Sequence, residues 1–238
     1  LLGDCSTQWL VQALRGYGRA YGYDFEIYES GFDQMDSEIL RPDSELYQSQ
    51  PDYVILLESS RRLLDKHRVL SVQEQRCFAA RCLDTTRERL AALSRRLRAN
   101  VIVFDFEAFN DGIHGHFAAK HSHSFASQLV EYGAALWRLC AETEGLYLFR
   151  FSEIYARFGA AQIFDPRLHC LAESPIALDF LPEVAGGLTR MLASLQGRLC
   201  KCLVLDLDNT LWGGEVGDLG AGGVEISDIG LGKAYQAL

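Results

Sequence analysis

Two carboxylates, Asp206 and Asp208, follow the apolar run Leu203-Val204-Leu205 and precede Asn209 and Thr210. Alternate residues of a strand share a face, so both side chains would point the same way where the strand ends and the chain turns. Like charges held that close are costly unless a cation or a shared proton relieves them. A hard oxygen site of this kind suits Mg²⁺, with Asp206 and Asp208 as ligands, better than a soft metal. The alternative is an acidic strand end without chemistry. The second candidate is the thiol of Cys5 in Gly3-Asp4-Cys5-Ser6, between the apolar stub Leu1-Leu2 and the first helical pattern. A side chain on that turn points to the carboxyl end of the sheet, where open α/β folds bind ligands. The partial positive charge of the helix start favours thiolate there. The competing reading is a small buried hydrophobe, the commonest fate of a free cysteine. Ser6 could itself be the nucleophile, but it is better placed to cap the helix.

The elements that must position these groups alternate in type. Apolar runs at Phe25–Tyr28, Tyr53–Leu57, Val101–Phe106 and Leu146–Phe149 read as buried strands, with Leu1-Leu2 as an earlier one. Helical spacing fills the gaps over Thr7–Leu14, Val72–Arg98 and Ser124–Glu142, and Gly16 and Gly18 are expected to stop the first. That alternation predicts an α/β domain: a parallel sheet with helices on both faces. A helix over Pro182–Leu199 closes it, and a new strand opens in Cys202–Leu207. The expected domains are therefore 1–199 and 200–238.

Apolar residues make up 48% of the chain and charged residues 23%, which is enough for a core and too little polarity for disorder. A net charge of -9 and a pI near 5.2 argue against nucleic acid, whose affinity rests on clustered Lys and Arg. Seven scattered cysteines, an odd number without framework spacing, read as reduced thiols in a cytoplasmic protein. No apolar run reaches the roughly 20 residues of a membrane span, and no leader is seen, although the opening at Leu1-Leu2 leaves a lost one open. His114-Gly115-His116 and His121-Ser122-His123 are read as a solvated loop rather than a zinc site, for want of a cysteine or carboxylate at ligand spacing. Cys200-Lys201-Cys202 is read as packing, and Gly220–Gly223 and Gly230–Lys233 lack the context of a phosphate loop.

The phrase Leu205-Asp206-Leu207-Asp208-Asn209-Thr210-Leu211 resembles the first signature of the haloacid-dehalogenase (HAD) superfamily. That resemblance implies Asp206 as the nucleophile that takes up phosphoryl. It implies Asp208 as general acid and base with its carbonyl on the metal, and Thr210 as the group orienting the first carboxylate. The later Ser/Thr, Lys and acidic pair of that superfamily have no room after Thr210, so the chain alone is expected not to be a competent phosphatase. Gly3-Asp4-Cys5-Ser6 resembles the first block of the SGNH hydrolases, with Cys5 where their serine stands, and implies their flavodoxin-like layering. On that pattern Gly31 would lend an amide to an oxyanion, or simply make a turn. Leu57-Glu58-Ser59-Ser60 departs from the family's Gly-x-Asn-Asp, leaving Asn110 as the substitute or as a turn former. Asp165-Pro166-Arg167-Leu168-His169 is a loosely matching late block, one residue too long, in which His169 would be the base or else a surface histidine.

Together with Pro51-Asp52-Tyr53-Val54, Ala177-Leu178-Asp179-Phe180-Leu181-Pro182 and the Trp212-Gly213-Gly214 after the aspartates, these blocks resemble the FkbH-like glyceryltransferase/phosphatase family along the whole chain. The resemblance implies that Cys5 takes a three-carbon acyl group from 1,3-bisphosphoglycerate as a thioester. The Asp206/Asp208 domain, with Mg²⁺, removes the remaining phosphate, and the phosphopantetheine thiol of an acyl carrier protein accepts glyceryl for polyketide assembly. An acidic carrier would need a basic patch, for which Arg87, Arg89, Arg95, Arg96 and Arg98 are the candidates. Two other readings stand beside it: a catalytically silent carrier-docking module, and an SGNH-type esterase or thioesterase acting through Ser6.

Overall fold

The structure is a computed structural model that describes residues 1–198 and 201–237; Leu199, Cys200 and Leu238 lie outside it. The chain divides into two compact units, Leu1–Leu192 and Ala193–Leu238.

In the first unit the elements run β1 (Leu2–Gly3), α1 (Gln8–Ala20), α2 (Met35–Leu40), α3 (Glu45–Gln48), β2 (Tyr53–Leu57), α4 (Ser60–Arg68), α5 (Val72–Gln75) and α6 (Phe78–Ser94). There follow β3 (Asn100–Phe104), a 3₁₀ helix (Gly115–Lys120), α7 (Phe125–Glu142), β4 (Leu146–Phe149), α8 (Phe151–Phe158), α9 (Ala160–Ile163) and α10 (Pro166–Ala172). A second 3₁₀ turn (Leu178–Phe180) leads into α11 (Leu181–Leu195). The strands form one parallel sheet in the order β1-β2-β3-β4, with Val54 opposite Val101 and Val101 opposite Leu146.

Period-two alternation sends the apolar residues of each strand to two faces, and both are covered. Leu2, Val54, Leu56, Val101, Val103 and Leu146 share a cluster with Met35 and Ile39 of α2 and Ala92 and Leu93 of α6. On the opposite face, the Phe104 and Phe149 rings pack tilted with centroids 4.9 Å apart, and Gly187 of α11 approaches so closely that an added Cβ would meet the Phe149 ring at 3.0 Å. Its neighbour Gly186 lies against Tyr17 of α1. The expected α/β sheet with helices on both faces is what the chain forms.

Several element boundaries differ from expectation. Helix α1 runs through both glycines expected to stop it. Gly18 admits the Phe25 ring, which an added Cβ would meet at 2.5 Å. The true stop is Gly22 at φ +76°, where the amides of Gly22 and Tyr23 donate to Arg19 and Gly18. The long run at 72–98 breaks in two. Ser71 and Glu74 cap α5 reciprocally, and the side chain of Gln128 accepts the Ala79 amide at the start of α6, at 2.8 Å. Phe25–Tyr28 is no strand, because it meets the sheet at one point only. There the Leu1 nitrogen donates to the Tyr28 carbonyl at 2.7 Å, and the Ser30 amide donates to Leu1 at 3.2 Å. This extended segment therefore runs along the outer edge of β1, opposite β2.

In the second unit the expected strand at Cys202–Leu207 is absent, and Leu203 and Val204 are 79% and 87% exposed. A strand buried on both faces needs neighbours to satisfy its amides, and the described residues of this unit hold no named strand to pair with it. What forms instead is a flap. The Gly213 amide donates to Glu225 at 3.0 Å and the Glu225 amide returns the bond at 2.8 Å, with α12 (Val216–Leu219) between them and α13 (Gly232–Gln236) after.

Candidate active site

The β1–α1 turn brings the thiol to a cleft. Cys5 is 2% exposed, yet it lines a cleft of about 510 Å³ together with Ser6, Gln8, Glu29, Gly31 and Phe32, closed on one side by Leu171 and Ala172 of α10. This cleft lies outside the carboxyl end of β1 and the end of the extended segment beside it, the place where open sheets bind ligands. The Ser6 amide donates to the carbonyl of Glu173, a residue in left-handed conformation at the end of α10, at 3.2 Å. The turn carrying Cys5 and the helix carrying His169 are thus tied by backbone.

Electrostatics run against the thiolate expected from the helix start. Burial pushes the Cys5 thiol up, and the neighbouring Asp4 charge adds to that, while Arg62 pulls the other way. Asp4 is itself buried. Its Oδ1 accepts the Ser59 amide at 2.8 Å and its Oδ2 lies 3.5 Å from Lys66 Nζ. Burial, followed by the charge of Glu58, raises its carboxyl to about 7 against the smaller opposing effects of Lys66, Ser59 and Arg62. Helix α1 begins three residues past the sulfur, with Thr7 rather than Ser6 at its cap, so its dipole is too far away to offset burial. Thr7 donates to Glu29 at 2.5 Å, which holds the far wall of the cleft.

The other sequence candidates are divided. Gly31 shares the cleft with Cys5, and its carbonyl accepts the Gln34 amide at 3.1 Å. His169 stands on α10, whose last two residues line that cleft; its Nδ1 is sealed from solvent without a hydrogen-bond partner, and its ring lies 5.4 Å from Phe164. Asn110 is exposed, and its Oδ1 accepts the Gly112 amide at 2.9 Å; the structure places it in a turn and not among the residues lining the cleft. Between the ends of β2 and β3, Ser60 donates to Glu107 at 2.6 Å, and Arg61 stacks between Phe109 and Phe164 at 4.4 and 4.1 Å. The space left there, about 10 Å³, admits no more than a water.

Sequence reasoning missed Asp4, Arg62 and Lys66. Asp4 was legible as the polar neighbour of a strand-end thiol. Arg62 and Lys66 carry no local signal, because only the turn of α4 directs them toward Asp4. The arginine patch needs correction as well. Arg89 is 5% exposed and lies inside the fold, where it is held by Asp36 at 2.6 and 3.2 Å and by Glu58 at 3.1 Å, so it faces no partner. Arg87, Arg95, Arg96 and Arg98 remain exposed.

In the second unit Asp206 and Asp208 lie on a turn, not on a strand as the sequence suggested. Asp206 Oδ1 accepts the amide of Leu207 at 2.8 Å, and Asp208 Oδ1 accepts Trp212 Nε1 at 2.9 Å and the Val216 amide at 3.1 Å. Asn209 sits at φ +56° with its Oδ1 accepting the Gly214 amide at 2.8 Å, and the Thr210 amide donates to Leu207 at 3.3 Å. The Trp-Gly-Gly segment therefore anchors the second aspartate to the flap. An exposed carboxylate, Asp206, and a partly exposed one, Asp208, form an oxygen donor set that fits Mg²⁺, which takes few protein oxygens and keeps several waters.

A parallel α/β sheet with a strand-end thiol beside a cleft, followed by an aspartate-pair flap, defines an α/β protein with two candidate centres. Residues 1–193 match the family described as FkbH, N-terminal domain, and the chain belongs to it. It is also similar to the crystal structure of the N-terminal part of the protein BF1531 from Bacteroides fragilis, described as containing a phosphatase domain complexed with Mg. The two share 33% identity at a TM-score of 0.91 over 99% of this chain, which spans 62% of that one. No curated protein matches the chain. Among the described residues, no helix is long and apolar enough to cross a membrane.

Proposed function

We propose that the first unit is an acyl transferase that takes a phosphoglyceryl group from 1,3-bisphosphoglycerate onto Cys5 and hands a glyceryl group to the phosphopantetheine thiol of an acyl carrier protein. The observation that carries this reading is the Cys5 thiol beside a cleft of about 510 Å³ at the carboxyl end of the sheet, in a member of the FkbH family.

In the first step the Cys5 sulfur bonds to the acyl carbonyl, inorganic phosphate leaves, and the thiol proton passes to a base. His169, on the helix tied to the Cys5 turn, has a sealed and unpartnered ring nitrogen and is the candidate for that base. Because burial keeps the sulfur protonated, proton removal accompanies attack instead of preceding it. The Gly31 amide is the candidate oxyanion donor, and Arg62, through its charge at the same turn, favours an anionic donor. With the later Ser/Thr, Lys and acidic pair of a complete second centre supplied, Asp206 would then attack the remaining phosphate ester and water would hydrolyse the aspartyl phosphate, with Asp208 as acid and base. Mg²⁺, when bound, would neutralise the phosphate and both carboxylates. Exchange of the glyceryl thioester for the carrier thiol is nearly balanced in free energy, so orientation is what the protein contributes.

The competing reading is a domain that recruits the carrier without chemistry, and the observation in its favour is the burial of Cys5. Transfer of labelled acyl group from substrate to carrier, compared for the wild type and Cys5→Ala, separates the two. The transferase loses transfer on substitution, whereas a recruiting domain binds the carrier equally well and never transfers.

A further inference from the structure

The loop between β3 and α7 folds three histidines against one another. His114 stands at the start of the 3₁₀ helix, His121 at its end, and His123 two residues on. Two turns of 3₁₀ thereby close a sequence gap that looks open. Their ring centroids lie 4.7 Å (His114–His121), 5.4 Å (His114–His123) and 5.5 Å (His121–His123) apart, and one ligating atom from each lies within 4.8 Å of the others. A tetrahedral ion with metal–nitrogen distances near 2.0–2.1 Å would bring such atoms to about 3.3 Å, a closure of up to about 1.5 Å that side-chain rotation supplies.

The loop is built to hold this arrangement. Ser124 and Ser127 both donate to the Ala118 carbonyl, at 2.9 and 2.8 Å, and Gln128 donates to Ser122 at 2.7 Å. Asp111 has a side chain only 3% exposed. Its Oδ1 accepts the amides of Ile113 and His114, at 2.9 and 3.4 Å, which leaves Oδ2 turned to His114 Nδ1 at 3.8 Å. That nitrogen is sealed from solvent and has no hydrogen-bond partner. A carboxylate beside a ligating imidazole is the usual outer support of a histidine metal site, because it fixes the tautomer and leaves the far nitrogen for the ion.

We infer that His114, His121 and His123, oriented by Asp111, form a binding site for a first-row transition-metal dication such as Zn²⁺, clasping the loop that joins β3 to α7. Three imidazoles without a thiolate select a borderline ion over Mg²⁺, so this site and the Asp206/Asp208 pair would take different metals. The fourth coordination position is left to water or to a ligand. The clasp would steady Phe109, which packs on Phe125 at 5.1 Å and carries the Arg61 guanidinium.

The test is an optical titration of the full chain with Co²⁺, with Mg²⁺ saturating and thiols reduced, followed by displacement with Zn²⁺. The expected result is one Co²⁺ per chain with ligand-field bands and no thiolate charge-transfer band, weakened at least about 10-fold in His114→Ala, His121→Ala and His123→Ala and unchanged in His116→Ala. Asp111→Asn should weaken it about 10–100-fold. His121 is the exposed member of the three, so its replacement removes only its contacts with the other two rings and decides the matter even if another variant misfolds. Amide exchange over residues 114–124 should slow when Zn²⁺ binds. Absence of binding to the wild type, a thiolate band, or undiminished affinity in His121→Ala would overturn the assignment.

Discussion

Cys5 was legible as a candidate from its place in Gly-Asp-Cys-Ser, but its electrostatics were not, because burial and the orientation of Asp4 are set by tertiary packing. A strand-end thiol two residues past a parallel sheet sinks into the core, and here an acidic neighbour sinks with it. Replacing Asp4 by Asn removes a charge that holds the thiol protonated, so iodoacetamide should alkylate Cys5 faster in Asp4→Asn than in the wild type near neutral pH; an unchanged or slower rate would show that Asp4 does not control the sulfur. The same residue predicts a pH dependence of stability. Its folded pKa lies above its unfolded value, so its contribution is full below about 4 and is lost as pH rises through about 7. Asn does not titrate. The thermal midpoint of Asp4→Asn should therefore gain on the wild type between pH 5 and pH 8, and a constant difference would contradict this.

Among the elements, the strands with the strongest apolar runs, β2, β3 and β4, were read at nearly their true positions, because a strand covered on both faces writes itself as a continuous apolar run. The failures lie where one residue decides. Gly18 looks like a helix stop but serves close packing against Phe25, and Phe25–Tyr28 looks like a strand but meets the sheet at a single residue. The arginines between 87 and 98 read as one exposed basic patch, yet Arg89 lies within the fold between two carboxylates, joined through Glu58 to Tyr132 of α7 at 2.9 Å. Removing one partner of a buried ion group leaves the others uncompensated, at a cost of about 3–5 kcal/mol when all are fully buried. Asp36 is half exposed, so Arg89→Ala should lose about 3 kcal/mol or somewhat less in urea unfolding, whereas Arg95→Ala should stay within about 0.5 kcal/mol. Equal effects in the two variants would mean that the Arg89 network carries no stability.

At the scale of the molecule, the chain is two compact units, each carrying one candidate reactive group: a thiol in the first and a carboxylate pair in the second. The aspartate motif was legible as a motif because its residues are adjacent in the chain. The strand assumed beneath it was not, because a strand exists only with neighbours to pair with. If the two centres act in sequence, they should be separable by mutation. In a protein that carries the complete second centre, Asp206→Asn should still form the Cys5 acyl adduct but retain the phosphate ester, giving an adduct heavier by one phosphoryl group than that of the same protein with Asp206 intact. The central claim is the acyl bond to Cys5. It is tested most directly by incubating the protein with 1,3-bisphosphoglycerate and Mg²⁺, then locating any acyl group by peptide mass spectrometry. The account predicts a three-carbon acyl group on the peptide containing Cys5, absent in Cys5→Ala and removed by hydroxylamine. An unmodified Cys5 in a sample that has consumed the acyl phosphate, or an acyl group on Ser6, would contradict it.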